Sequence, residues 1–84
     1  MRVTVFSPEA AVFDGEADAV VAPAFDGELG ILANHAPMMT TLGTGTLVVR
    51  SGEATRRFRV QGGFLQVVQN RVRILAESVQ GADG

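Results

Sequence analysis

The sequence predicts an all-β fold, namely a β-sandwich or flattened barrel of two roughly five-stranded sheets. Short runs rich in valine, isoleucine, phenylalanine and threonine recur about every eight to ten residues, with turn-forming residues between them. Apolar residues nowhere follow the i, i+3, i+4, i+7 spacing of an amphipathic helix. The 84 residues are 46% hydrophobic, which is enough for the core of one small domain. We therefore expect about nine or ten short strands in a single domain.

The N-terminal part of the chain predicts three strands. Residues 1–7 alternate apolar and polar side chains, which predicts an edge-like strand. Residues 10–13 form a second short strand. Asp14-Gly15 is then the strongest hairpin signal, because a type I′ turn requires two residues that accept positive φ. Residues 16–22 are the returning strand, and Pro23 ends it because proline lacks an amide proton.

The rest of the chain is organised around residues 25–40, which hold the only histidine, two of the three methionines and an acidic turn. Asp26-Gly27 is the turn. Residues 28–32 follow as a short apolar strand, in which Gly30 marks a bulge or a close approach of another backbone. Residues 33–37 form a loop, since a proline ends the segment. This combination indicates a contact surface rather than a strand of the core.

The C-terminal half predicts further strands and turns. The strands are residues 38–42, 46–50, 54–60, 64–68 and a last one with Val72, Ile74 and Ala76 facing inward. Turns are expected at Gly43-Thr44-Gly45, Ser51-Gly52 and Gln69-Asn70, and Gly62-Gly63 is expected to interrupt the chain between two strands. We assign residues 1–79 to the sandwich and expect the polar, glycine-rich residues 80–84 to fray.

Composition argues against several classes of function. The chain has no cysteine and a single histidine, so disulfides, thiolate chemistry and a transition-metal site are not expected. The net charge of −2 gives no general attraction to nucleic acid. No apolar run reaches the roughly 18 residues that cross a bilayer, so we expect no direct insertion into a membrane. We expect no metal and no cofactor.

Candidate chemistry centres on His35, with Asp26 or Glu28 as a partner, but no nucleophile or metal site accompanies it. A loop or interface role for the histidine is favoured over a small hydrolase. Asp26 lies in the turn and Glu28 in the strand, so their side chains are expected to point in different directions. This favours a solvated acidic tip that contacts a basic partner. Met38 and Met39 point to opposite faces, so one is expected to be buried while the other is free to contact a partner.

One further alternative is a stand-alone β-sandwich module that binds a ligand such as a sugar. Such a module needs clustered exposed aromatic side chains. The chain has five phenylalanines but no tryptophan and no tyrosine, which argues against this alternative.

A series of motifs extends from Met1 to about Val79. The motifs are Ser7-Pro8-Glu9, Val12 to Glu16, Val21-Ala22-Pro23, Gly27 to Leu32, His35-Ala36-Pro37, Gly62 to Val67 and Val72 to Glu77. In this order and spacing, the chain resembles the epsilon subunit of the rotary proton-translocating ATP synthase, which is called delta in mitochondria. The resemblance implies a non-catalytic β-sandwich that sits low on the central stalk and turns with the rotor.

The resemblance also implies partners and a location. The partners are the gamma subunit and the ring of membrane-embedded c subunits, and proton flow through the ring is coupled to the catalytic head through gamma. The residues that match the c-ring contact are Asp26, Gly27, Glu28 and Leu29. The residues that match the gamma contact are Ser7, His35, Met38 and Thr40. The implied location is the cytoplasmic face of the bacterial plasma membrane, peripheral through the complex.

Two features depart from the family pattern. Most members have Pro-Gly before the histidine, where this chain has Ala33-Asn34. Asparagine often replaces glycine in a left-handed conformation, so we expect the turn to be kept. Many bacterial members continue into a two-helix C-terminal domain, whereas this sequence stops at Gly84. We therefore expect neither nucleotide binding nor helix-mediated inhibition of the kind associated with that domain.

Overall fold

The computed structural model describes residues 1–81, which form eight β-strands and no helix. The strands are β1 (Arg2–Phe6), β2 (Ala11–Glu16), β3 (Ala19–Ala24), β4 (Gly27–Leu32), β5 (Met38–Thr41), β6 (Thr44–Ser51), β7 (Ala54–Val68) and β8 (Arg71–Gly81). This confirms the all-β prediction. The number of strands is lower than expected because β7 contains both of the strands predicted at residues 54–60 and 64–68.

The strands pair in the order β2-β1-β8-β7-β6-β3-β4, and β5 pairs with β7 beside this path. The first half of β7 pairs with β6 over residues 54–61, and its second half pairs with β5 over residues 64–67. The ladders thus divide into two five-stranded layers that share β7 and β8. Layer A contains β4, β3, β6 and residues 54–61 of β7 with the end of β8. Layer B contains β5, the second half of β7, the start of β8, β1 and β2.

The core lies between the two layers and is formed by alternate residues of most strands. Its largest fully buried side chains are Val3, Val5, Val20, Ile31, Leu47, Val49, Val60, Leu65, Val67, Val72 and Ile74. Each contributes about 1.5–3 kcal/mol through removal of apolar surface from water. Phe13 of β2 and Phe58 of β7 meet edge to face with ring centroids 6.3 Å apart, which joins layer B to layer A. The inward positions predicted for Val72, Ile74 and Ala76 are confirmed.

Gly62 and Gly63 do not break the chain, contrary to the prediction, because β7 continues through them in constant register with β8. Both have positive φ, at 67° and 108°. A Cβ atom on Gly63 would collide with the carbonyl oxygen of Leu75 and would lie 2.8 Å from the Cα of Ala76. Glycine therefore permits a local bend without a change of register between β7 and β8. The bend lies where the pairing of β7 with β6 ends and its pairing with β5 begins.

The predicted hairpin turn at Asp14-Gly15 is wrong. Both residues lie within β2, opposite Thr4 and Val3 of β1. Pairing with β1 overrides the local turn propensity, and the side chain of Asp14 binds the Arg2 guanidinium 2.7 Å away on the same ladder. β1 is consequently an interior strand between β2 and β8, and not the edge strand that its sequence suggested.

Pro23 also does not end its strand, since β3 continues to Ala24. The Pro23 carbonyl oxygen accepts a hydrogen bond from the Gly43 amide at 2.8 Å. Because the N and C=O groups of one strand residue point to the same side, the proline nitrogen also faces the side of β3 on which Gly43 lies. On that side β6 pairs only with Ala19–Val21, and the absent N–H therefore costs no ladder bond.

Other predicted boundaries differ by a few residues. Gly30 pairs regularly with Val21 and has open space around it, so it marks neither a bulge nor a close approach. Thr44 and Gly45 belong to β6, which leaves Leu42 and Gly43 between β5 and β6. Gln80 and Gly81, expected to fray, pair with β7 instead. Residues 82–84 of the predicted tail lie outside the described residues.

The tight turn at Gln69-Asn70 is confirmed. Its two residues have φ of 52° and 59°, as a type I′ turn requires, and Val68 pairs with Arg71 across it.

Candidate partner-binding surfaces

The acidic turn forms the tip of the β3–β4 hairpin. The turn itself is at Phe25-Asp26, one residue earlier than predicted, and Gly27 follows with φ of 132°. We call Phe25 to Glu28 the acidic tip. Asp26 and Glu28 are exposed, and within residues 1–81 neither carboxylate has an ion-pair partner. The tip therefore presents two uncompensated negative charges to solvent.

An apolar side chain accompanies these charges, because Phe25 is 82% exposed. Leu29 is different, since it is half-buried and packs against the core. Four residues were predicted to contact the c ring. Leu29 packs against the core and so stabilises the hairpin, whereas Asp26, Gly27 and Glu28 are exposed to solvent. Phe25 was missed as a site residue, although its position directly before the turn dipeptide was a signal for exposure.

The acidic tip is fixed to the end of β5 through the backbone. The Phe25 amide donates to the Thr41 carbonyl oxygen at 3.1 Å, and Ala24 forms a bridge with Leu42. The Gly43 amide donates to Pro23 on the same side. Residues 25–41 therefore form a segment whose first and last residues are joined by a backbone hydrogen bond. The tip is consequently held in a fixed position relative to layer B.

His35 lies in the loop between β4 and β5, at the opposite end of β4 from the tip. Asn34 has φ of 66°, so the left-handed conformation expected at Ala33-Asn34 is confirmed. The Asn34 amide donates to the Asn70 side-chain oxygen at 2.7 Å, and the His35 amide donates to Leu32. The His35 Nδ1 lies 2.7 Å from the Ala36 carbonyl oxygen. These contacts fix the loop against the β7–β8 turn.

Nothing around His35 forms a catalytic arrangement. Asp26 and Glu28 are at the far end of β4, and over residues 1–81 no three His, Cys, Asp or Glu side chains are grouped so that they could hold a metal ion. The hydrolase alternative therefore has no assembled site in the part of the chain that the structure describes. No helix in that part has the length and hydropathy needed to cross a membrane.

The predicted gamma-contact residues lie along layer B. Met38 and Thr40 of β5 are half-buried, on the side that faces the core, and Met38 packs against it. Met39 is 64% exposed on the opposite face, together with Thr41. The two methionines therefore divide as predicted, one towards the core and one towards solvent. Ser7 follows β1, where its amide donates to Ala10.

An exposed row of side chains connects Thr41 to the region of Ser7. The pairing places Thr41 opposite Phe64, Phe64 opposite Leu75, and Leu75 opposite Phe6. We call these four residues the apolar row. Phe64 and Leu75 are each 40% exposed, and with Ser7 and Pro8 they line an open groove of about 350 Å³. Contiguous exposed apolar surface of this kind typically marks an interaction site.

The apolar row was not predicted. In β7 and β8 each of its members directly adjoins a buried apolar residue, as in Phe64-Leu65 and Ile74-Leu75. Because neighbouring residues of a strand point to opposite faces, such a pair places one apolar side chain outside. Such adjacent pairs of apolar residues are the feature of the sequence that indicates the apolar row.

Comparison with known proteins agrees with this geometry. Residues 1–82 match the family model described as ATP synthase, delta/epsilon chain, β-sandwich domain. The chain is 46% identical over 77 residues to the ATP synthase epsilon chain of Leptospira borgpetersenii, and this match covers 92% of the chain but 61% of the relative. It is also 46% identical over 77 residues to the epsilon chain of Caulobacter vibrioides, of which it covers 90%.

A solved structure has the same fold. The chain superimposes with a TM-score of 0.87 on a chain of the Euglena gracilis mitochondrial ATP synthase assembly of OSCP, F1 and c-ring. The sequence identity is 24%, and the match covers 94% of this chain and 51% of the other. With the family model covering nearly all of the sequence, the chain belongs to the ATP synthase delta/epsilon family and forms its β-sandwich domain.

Proposed function

We propose that the chain is a non-catalytic rotor subunit in the central stalk of a proton-translocating ATP synthase. It binds the gamma subunit and the c ring, and through gamma it couples proton flow to ATP synthesis in the catalytic head. The observation that carries this proposal is the acidic tip, exposed and yet bonded to β5, in a chain of the delta/epsilon family.

The c ring is the proposed partner of the acidic tip. Asp26 and Glu28 are free to pair with basic groups in the polar loops of the c subunits, and Gly27 keeps the turn compact. Phe25 adds an apolar contact, and Leu29 anchors the tip to the core. Exposed ion pairs contribute only about 0–1 kcal/mol each, so the charges orient the contact more than they strengthen it.

The gamma subunit is the proposed partner of layer B. Ser7 and His35 mark the contact, Met38 and Thr40 lie beneath it on the core-facing side of β5, and the apolar row supplies the surface that loses water on binding. Burial of apolar area provides most of the free energy of such contacts, because charged groups largely exchange water for each other.

The connection between the two surfaces supports a mechanical role. The hydrogen bond from the Phe25 amide to the Thr41 carbonyl oxygen joins the acidic tip directly to the apolar row, in which Thr41 pairs with Phe64. A force on the acidic tip is therefore transmitted to the gamma-facing surface through backbone hydrogen bonds. The relatives at 46% identity are bacterial, which supports a location at the cytoplasmic face of the plasma membrane within the complex.

The c-ring contact is tested by the variant Glu28→Lys, with Glu53→Lys as a matched control. Glu53 is an exposed carboxylate in the β6–β7 turn, away from the acidic tip. We expect Glu28→Lys to weaken binding of the chain to detergent-solubilised c ring about 3–10-fold at low salt, with unchanged thermal unfolding. The control should bind like the wild type. Equal binding of both variants would refute the ionic contact, and absence of wild-type binding to both gamma and the ring would refute the rotor assignment.

A further inference from the structure

Three arginines are grouped on the outer face of layer B beside the apolar row. Arg2 and Arg71 are directly opposite each other in the parallel ladder between β1 and β8. Arg73, two residues further along β8, is exposed like Arg71, while Val72 between them is buried. Residues i and i+2 of a strand share a face, so the three guanidinium groups leave the same surface. We call these three residues the arginine stripe.

The stripe is only partly neutralised. Arg2 is paired, with Asp14 Oδ1 lying 2.8 Å from its Nε and 2.7 Å from its Nη2. Arg71 and Arg73 have no acidic partner within the described chain. Like charges directly opposite each other destabilise a sheet. Three of the seven arginines thus converge in a chain whose net charge is −2, and of these three only Arg2 has an acidic partner within the described residues.

The stripe lines an open groove together with apolar side chains. This groove has a volume of about 880 Å³, and its walls include Asp14, Phe6 and Leu75 besides the three arginines. A second depression of about 340 Å³ adjoins it, where Gln66, Val68 and Gln69 surround Arg71 and Arg73. The surface therefore offers guanidinium groups, amides and apolar contacts side by side.

The shape favours a protein segment over a small phosphate group. Phosphate sites are usually built from convergent backbone N–H groups. Here the backbone groups of β1, β7 and β8 are engaged in ladders on both sides, and only side chains face outward. Arg71, Arg73 and Leu75 follow one another at every second position of β8, and the apolar row crosses the strands at Leu75. The basic and apolar side chains are therefore adjacent on one face, which matches an occupant with an acidic and an apolar part.

We propose that this groove docks an acidic, amphipathic segment of the gamma subunit. Carboxylates of that segment bind Arg71 and Arg73, and its apolar side chains pack on Phe64 and Leu75. The inference rests on the proposed function, because it takes gamma as the partner. Arginine binds carboxylates in bidentate geometry, which fixes orientation, and unpaired surface charges accelerate the encounter of complementary partners.

The test compares three forms of the chain with recombinant gamma subunit by surface plasmon resonance. They are the wild type, the double variant Arg71→Gln/Arg73→Gln, and the control Arg50→Gln/Arg59→Gln, whose arginines are exposed on the outer face of layer A. At about 50 mM salt we expect the first double variant to bind gamma about 10–30-fold more weakly, mainly through slower association. The difference should shrink at about 500 mM salt, and the control should match the wild type.

Thermal unfolding separates this effect from misfolding. Removal of the Arg71 charge, which lies opposite Arg2, should raise the Tm of Arg71→Gln/Arg73→Gln by about 2 °C. A variant that is at least as stable and yet binds gamma less well supports the proposal.

Two outcomes overturn the inference while leaving the rotor function intact. One is unchanged affinity for gamma at low salt, while Phe64→Ala still weakens binding. The other is unchanged affinity for gamma together with loss of binding to vesicles of phosphatidylcholine and phosphatidylglycerol, which would assign the stripe to a membrane surface. Failure of the wild type to bind gamma at all would instead refute the proposed function, and the inference with it.

Discussion

Substitution of Gly63 by alanine tests whether the bend in β7 depends on glycine. The φ of 108° at this position is one that side chains rarely adopt, and a Cβ atom would collide with the Leu75 carbonyl oxygen. The unfavourable backbone conformation costs about 1–3 kcal/mol. Displacement of the neighbouring strand to relieve the collision costs about 1–3 kcal/mol more. We therefore expect Gly63→Ala to lower the free energy of unfolding by about 2–6 kcal/mol.

The measurement is urea unfolding followed by far-ultraviolet circular dichroism, since the chain has no tryptophan or tyrosine to report by fluorescence. In a thermal scan the same loss should lower the Tm by at least about 8 °C. Gly30→Ala is the matched control, because Gly30 lies in a regular strand and a Cβ there would meet no atom within 4 Å. It should stay within about 0.5 kcal/mol of the wild type. A Gly63→Ala variant within about 1 kcal/mol of the wild type would refute the reasoning.

Two further substitutions address the core and the histidine loop. Phe58→Ala removes the ring that meets Phe13 between the layers, so urea unfolding should show a loss of about 3–5 kcal/mol; a loss below about 1 kcal/mol would show that the layers do not depend on this contact. Asn70→Gly keeps the left-handed turn but deletes the acceptor of the Asn34 amide, so hydrogen exchange at that amide should accelerate about 5-fold with global stability nearly unchanged. Unaltered exchange at Asn34 would contradict the role given to this hydrogen bond.

Local patterns in the sequence were sufficient to predict which residues of a strand face the core and where some of the turns lie. Val3 and Val5 are buried as their alternation indicated, and Gln69-Asn70 turns because both residues tolerate positive φ. Asp14-Gly15 has the same local signal and yet is strand. What differs is the partner strand, because Asp14 and Gly15 both pair with β1 and this pairing outweighs the turn propensity of the dipeptide.

The candidate surfaces also differ in how far the sequence could predict them, because some depend on pairing between strands that are distant in the chain. The acidic tip is contiguous in sequence, so Asp26 and Glu28 could be found from the turn signal alone. The arginine stripe and the apolar row are formed by residues such as Arg2 and Arg71, which become neighbours only through the register of β1 on β8. Register between distant strands depends on the packing of the complete core, which no local pattern contains.

The parallel pairing of β1 with β8 also determines when the fold can be completed during synthesis. β1 and β2 are able to form a hairpin as soon as both have left the ribosome, but the other side of β1 has no partner until residues 71–75 emerge. Until then a strand destined for the middle of a layer exposes a row of unpaired backbone groups, which is where a nascent chain is most prone to associate with others. β8, the last of the eight described strands to be translated, therefore closes the sandwich around β1.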